Sequence, residues 1–326
     1  MEDFAFTPVR NKENRLRVTV GITGWLTAPE EVALPWKSLN SNAEVYALRW
    51  EMDALIDLGS SLETLLGSYA MSFAGYEVIK RTVLVSLMTA LWPISLVKAA
   101  RVIDNPFSIA KHRSEKAGRV LADVIINKAQ GERPITLIGF SLGARVVYFC
   151  LLELAERGAY GLVENVVFMG APIPSSGEGW NAIRSVVAGK VVNVFSEKDY
   201  ILGFLYRTSS VQLGVAGLQV VQIPGVENMD VGERVEGHLR YRHMVGVILR
   251  DVFGEDVKAD VVGKSEEVLR SLEQKQREGK ETQKGVEGDL EAQIDDAVAK
   301  AEKELQDRRR NRETGEQLKR RDSRHV

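Results

Sequence analysis

The run Ile135–Gly158, ITLIGFSLGARVVYFCLLELAERG, restricts the possible folds more than any other stretch of the chain. Its first six residues form a short apolar block after Pro134, with the length and residue types of a buried strand. From Ala144 to Arg157 the residues favour a helix, which Gly158 ends. Between the two lies Gly139-Phe140-Ser141-Leu142-Gly143, a Gly-x-Ser-x-Gly turn. A strand that passes this abruptly into a helix implies a βα unit, and so a parallel sheet covered by helices. Such a turn forces its serine into a strained backbone conformation. Side chains at 139 and 143 would strike the adjoining strand and helix, so glycine is required at both. The strain would hold the Ser141 hydroxyl clear of the sheet, beside the N–H groups and positive potential of a helix amino end.

The rest of residues 1–254 supports that architecture. Leu16–Ile22 and Glu44–Trp50 read as strands, and Asp53–Lys80 as a helix with Leu55, Leu58, Leu62, Leu65 and Leu66 at three- and four-residue steps. His112–Gln130 reads as a helix. Strands are expected at Val163–Met169, Lys190–Phe195 and Leu218–Ile223, and a last helix over about His238–Val252. Strands separated by helical crossovers give a mostly parallel sheet with helices on both faces, an α/β fold.

Two segments depart from the alternation. Thr82–Val97, TVLVSLMTALWPISLV, is strongly apolar and is followed by Lys98 and Arg101. It is shorter than the ~20 residues that cross a bilayer, and Pro93 would kink a helix. The insertion 82–103 is therefore expected to be core, a lid, or a surface touching a membrane. From Glu255 to Val326 about half the residues are charged and none is aromatic, so 255–326 is expected to be a charged helical or disordered tail. Lys264–Arg277 and Asp289–Arg310 are its helical stretches, and a protein partner could dock there.

Composition excludes several functions. A net charge of -2 gives no field for holding nucleic acid. The single cysteine, Cys150, rules out an internal disulfide framework or a multi-cysteine zinc site. No Gly-x-Gly-x-x-Gly or P-loop motif occurs, and neither a cofactor nor a metal is expected. The first residues, MEDFAFTPVR, contain no apolar signal core, which points to an intracellular protein, cytoplasmic or peripherally bound to membrane.

A serine on such an elbow needs a base, and a carboxylate to hold that base, at the carboxyl ends of later strands. Downstream histidines are His238, His243 and His325. His238 sits where the last helix begins, His243 is inside that helix, and His325 is in the tail. His238 is the leading base. Asp199, just past the strand Lys190–Phe195, is the leading acid; Glu197 and Asp230 are its substitutes. For the oxyanion, the N–H of Leu142 is one donor and the loop Ile22-Thr23-Gly24-Trp25-Leu26 supplies the second. There Gly24 would let the backbone come close, and Trp25 either walls an acyl pocket or packs.

Gly131-Glu132-Arg133-Pro134 with ITLIGFSLGARVV, then FMGAP at Phe168–Pro172, FSEKDYIL at Phe195–Leu202 and GHLRY at Gly237–Tyr241, resembles the domain-of-unknown-function 726 family. These α/β-hydrolase-like proteins include transmembrane and coiled-coil domain proteins. The likeness covers about residues 15–252. It implies a lipase-like α/β-hydrolase fold with Ser141, Asp199 and His238 at the triad positions. It also implies membrane association, often through hydrophobic segments near or before Thr82–Val97. The chain begins almost at its first expected strand and lacks the upstream regions of longer members. The resulting expectation is a serine hydrolase that cleaves an ester, including a lipid ester, through an acyl-enzyme. The rival is a membrane-associated adaptor or trafficking accessory protein on a catalytically silent hydrolase scaffold.

Overall fold

The computed structural model describes residues 3–10, 14–39, 43–72, 94–209, 214–234 and 237–254, with isolated helical positions beyond. Strand β1 is Ala5–Pro8, β2 Arg17–Ile22 and β3 Ala43–Arg49, with 3-10 turns at Pro29–Val32 and Pro35–Ser38 between the last two. Helices α1, Met52–Ser72, and α2, Ile94–Ile126, follow. The chain continues through β4, Ile135–Phe140, α3, Leu142–Glu156, and β5, Val163–Met169. Then come α4, Glu178–Val186, β6, Val191–Phe195, α5, Tyr200–Ser209, and β7, Val226–Asp230. A 3-10 turn at His238–Arg240 leads into α6, Tyr241–Phe253.

These strands form one sheet in the order β1-β3-β2-β4-β5-β6-β7. Only β1 runs antiparallel to its neighbour; every other pair is parallel. The connection from β2 steps outward to β3, whereas those from β4 onward step the other way. Because parallel crossovers are right-handed, this reversal puts different elements on the two faces. Helix α2 packs on α3 and α3 on α4, while α6 packs on the 3-10 turn at Pro35–Ser38. The reversal falls between β2 and β4, where Ile22 pairs with Gly139. A crevice outside the carboxyl ends of strands forms at such a switch point. Thr23-Gly24 and Phe140–Leu142 leave the sheet there side by side.

The core explains the alternation. Strands β4 and β6 and much of β5 are buried on both faces, as their near-continuous apolar runs require. Trp25, Trp36, Trp50, Trp180 and Tyr241 are fully buried among them. Helix α3 turns Leu142, Val146, Val147, Cys150, Leu151 and Leu154 inward, and none of these is exposed.

Four sequence expectations need correction. The expected strand Leu16–Ile22 is present as β2, but an unexpected strand, Ala5–Pro8, precedes it; at four residues, half exposed, it carries little apolar signal. Leu218–Ile223 is not a strand. The last strand is Val226–Asp230, whose pattern VENMD is masked by its edge position. The Asn228 side chain substitutes for a ladder by accepting from the Val221 N–H at 2.8 Å and donating to the Val221 carbonyl at 3.0 Å. The second long helix begins at Ile94, not His112, and passes through Pro106. Finally, α4 and α5 had no counterpart among the expected elements. Of the apolar stretch Thr82–Val97, positions 82–93 lie outside the described residues, as does most of 255–326.

Candidate active site

Local chemistry builds the elbow first. Ser141 has φ 55 and ψ -130, a strained backbone for a residue with a side chain. Its N–H donates to the Met169 carbonyl on β5 at 2.9 Å, which fixes the turn to the neighbouring strand. A Cβ on Gly139 would lie 2.6 Å from the Ala144 nitrogen, and one on Gly143 2.0 Å from the Ile22 carbonyl oxygen. Neither position leaves room for a side chain. Leu142 is the first residue of α3, where backbone N–H groups have no acceptor within the helix.

Three distant side chains meet at this elbow. His238 Nε2 is 2.6 Å from Ser141 Oγ, and His238 Nδ1 is 2.7 Å from Asp199 Oδ2. The serine hydroxyl donates to Nε2 when Nδ1 carries the imidazole proton, and the Nδ1–H in turn donates a hydrogen bond to the carboxylate. Asp199 is held at the amino end of α5, where its Oδ1 accepts from the Leu202 N–H at 3.0 Å. His238 follows Gly237, whose φ of 107 a side chain would rarely tolerate. The imidazole stands edge-on to Tyr241, centroids 6.0 Å apart. Burial, helped by the Asp199 and Asp230 carboxylates, pushes the Tyr241 phenol well above its usual range. Ser141 is 4% exposed, His238 1% and Asp199 0%, so the hydrogen bonds are sheltered from water.

The alternatives lie elsewhere. Glu197 is exposed. Asp230 is also exposed and closes its own turn by accepting from the Gly232 N–H at 2.8 Å. His243 accepts from Arg242 Nε at 3.0 Å through its Nε2, and burial beside that cation holds its pKa below the ordinary value. His325 lies outside the described residues.

Gly24 sits directly against the elbow. A Cβ there would come within 2.3 Å of the Leu142 nitrogen and of the Phe140 carbonyl oxygen. The loop is pinned by contacts that the sequence did not announce. Trp50 Nε1 donates to the Thr23 carbonyl at 3.0 Å and Trp36 Nε1 to Thr23 Oγ1 at 3.2 Å; Oγ1 in turn donates to the Val32 carbonyl. Trp25 is buried, edge-on to Phe140 at 6.5 Å and under the Arg242 guanidinium at 4.7 Å. It lines a cavity of about 180 Å³, but Ser141, Asp199 and His238 are not part of that lining. Among the described residues, no three His, Cys, Asp or Glu side chains are gathered as a metal would need.

A family model described as "Protein of unknown function (DUF726)" matches residues 1–254. The chain belongs to this family. Among DUF726-related proteins, an uncharacterized membrane protein of Schizosaccharomyces pombe is 42% identical over 96% of this chain and 56% of its own length. The transmembrane and coiled-coil domain-containing protein STS1 of Oryza sativa is 43% identical over 74% of the chain and 37% of its own length. A protein of Saccharomyces cerevisiae named probable lipase MIL1 is 34% identical over 84% of the chain and 26% of its own length. The chain thus spans about half, or less, of the length of these relatives. Among the described residues, no helix is long and apolar enough to cross a membrane.

Proposed function

We propose that this chain is a serine ester hydrolase that works through an acyl-enzyme on Ser141. The observation that carries this reading is the unbroken hydrogen-bonded series Asp199–His238–Ser141 at an elbow of strained backbone. As Ser141 Oγ attacks an ester carbonyl, its proton passes to His238 Nε2. The C–O π electrons move onto oxygen, and the Leu142 N–H with the loop at Gly24 and Trp25 receives that charge. Collapse expels the alcohol, which takes the proton from Nε2 and leaves Ser141 acylated. Water then repeats the sequence and releases the acid. Asp199 stays ionised throughout, fixing the imidazole tautomer and stabilising the imidazolium.

Lipid esters are the proposed substrate class. The name of the yeast relative, probable lipase, and the membrane-protein names of others support it. We assign residues 1–254 as the hydrolase domain and 255–326 as an appended charged segment for a protein partner. The apolar run 82–103 is assigned to the membrane surface. Changing Leu87 and Leu91 to glutamate should reduce liposome flotation, and unchanged flotation would refute that contact.

A fluorophosphonate probe tests the chemistry. It should modify Ser141 in the folded wild type and leave Ser141→Ala unlabelled; absence of adduct in the wild type would count decisively against hydrolysis. The burial of Ser141 favours one rival, an adaptor on a silent scaffold. In that case neither labelling nor turnover across an ester panel appears, even with lipid present.

A further inference from the structure

Acyl transfer at Ser141 requires that the loop after β2 be held still, because a displacement of about 1 Å in a reacting group costs about 10²-fold in rate. Two N–H groups of that loop are engaged in holding it. The Leu26 N–H donates to the Leu55 carbonyl at 3.1 Å, and the Thr27 N–H to Glu31 Oε2 at 2.8 Å. Gly24 and Trp25 lie between these anchors and the elbow, and a Cβ on Gly24 would meet the Leu142 nitrogen at 2.3 Å.

Arg242, four residues after His238, reaches across to this loop and uses its whole guanidinium. The flat face lies over the Trp25 ring, 4.7 Å from the centroid. Nη1 meets Glu31 Oε1 at 2.9 Å, and Nε donates to His243 Nε2 at 3.0 Å. Because the other Glu31 oxygen holds the Thr27 N–H, one guanidinium grips the loop at two points, residues 25 and 27. The Trp25 indole also stands edge-on to Phe140, the residue before the nucleophile. It therefore touches the segment of the nucleophile and the segment of the base together. The Arg242 and Glu31 side chains are 23% and 22% exposed. An ion pair this accessible adds little to stability, so its main effect is on geometry. Lysine would keep the charge but would lose both the flat face and the Nε donor.

We propose, building on the reading of Ser141 as the nucleophile, that Arg242 is a positioning residue. Acting through Trp25 and Glu31, it holds the oxyanion loop in register with the elbow. It does so from the segment that carries the base, so the oxyanion site and the imidazole are set by one clamp.

The experiment compares the full-length wild type with Arg242→Lys, Glu31→Gln and the double variant. Each is assayed on p-nitrophenyl butyrate and against a trifluoromethyl ketone, whose adduct with Ser141 carries an oxyanion at the same place. Arg242→Lys should lower kcat about tenfold to a hundredfold with little change in KM. The inhibitor constant should rise by the same factor as kcat/KM falls, which a merely structural role would not produce. Glu31→Gln should cost about threefold to tenfold, and adding it to Arg242→Lys should cost less than about twofold more, because both act through one contact network. If Arg242→Lys fails to fold, Glu31→Gln carries the same test. Unchanged kcat in these variants, or a fall in kcat with the inhibitor constant unmoved, overturns the proposal while wild-type catalysis stands. A wild type that neither turns over the ester nor takes a fluorophosphonate label overturns both readings.

Discussion

Ser141 keeps a φ of 55 that only its surroundings enforce, at an expected cost of about 1–3 kcal/mol. Ser141→Gly and Ser141→Ala both remove the hydroxyl, but glycine relaxes the strain. The glycine variant should therefore be more stable by about 1 kcal/mol, or melt about 2 °C higher. Equal melting temperatures would mean that the elbow is not strained. Asp199→Asn presents an amide where the His238 Nδ1–H needs an acceptor, favouring the wrong imidazole tautomer; ester turnover should fall about 10⁴-fold with little change in KM. The elbow and its partners were readable because the signals are local or few. Gly139 and Gly143 bracket a serine between strand and helix, and only three histidines follow it. The pinning of Thr23 by Trp36 and Trp50 was not readable. Those contacts span 13 and 27 residues, and nothing in an isolated tryptophan states its partner.

At the scale of elements, the closest approach in the site is between α3 and β2. Gly143→Ala would place a methyl 2.0 Å from the Ile22 carbonyl oxygen, against backbone that cannot rotate away. The helix must then lift, at a cost of about 3 kcal/mol or more, which a denaturation midpoint would register. An unchanged midpoint would contradict the described packing. Helix α3 and strands β4 to β6 were legible because burial on both faces leaves uninterrupted apolar runs. The edges were not. In β7, Glu227, Asn228 and Asp230 are exposed, so its composition resembles a loop. Conversely, LQVVQI at 218–223 looks like a strand, yet Asn228 and Asn193 hold it as a loop. Asn193 Nδ2 donates to the Ala216 carbonyl at 3.0 Å and the Gln219 carbonyl at 3.1 Å. Side-chain amides took the place of a ladder there, and periodicity cannot reveal that.

For the whole molecule, the end of the sheet opposite the elbow bears on stability in acid. Glu44 on β3 meets Arg133 at 2.9 Å, just before β4, and also takes the Tyr46 hydroxyl at 2.8 Å. The Arg133 hydrogen bond above all, opposed by burial and aided by Tyr46 and the Arg15 N–H, lowers the Glu44 pKa from 4.5 to about 2. A depressed carboxylate stabilises the fold fully above its unfolded pKa and loses that contribution as pH falls through the folded one. The melting temperature of wild type should thus drop between about pH 4.5 and pH 2 more steeply than that of Glu44→Gln, and parallel curves would exclude this role. Buried Cys150 offers a way to time such opening. It is the sole cysteine, it lies on the helix that leaves the elbow, and burial raises its thiol pKa well above the usual range. Iodoacetamide therefore has nothing to alkylate in the closed protein, and each modified molecule records one excursion of that helix away from the sheet.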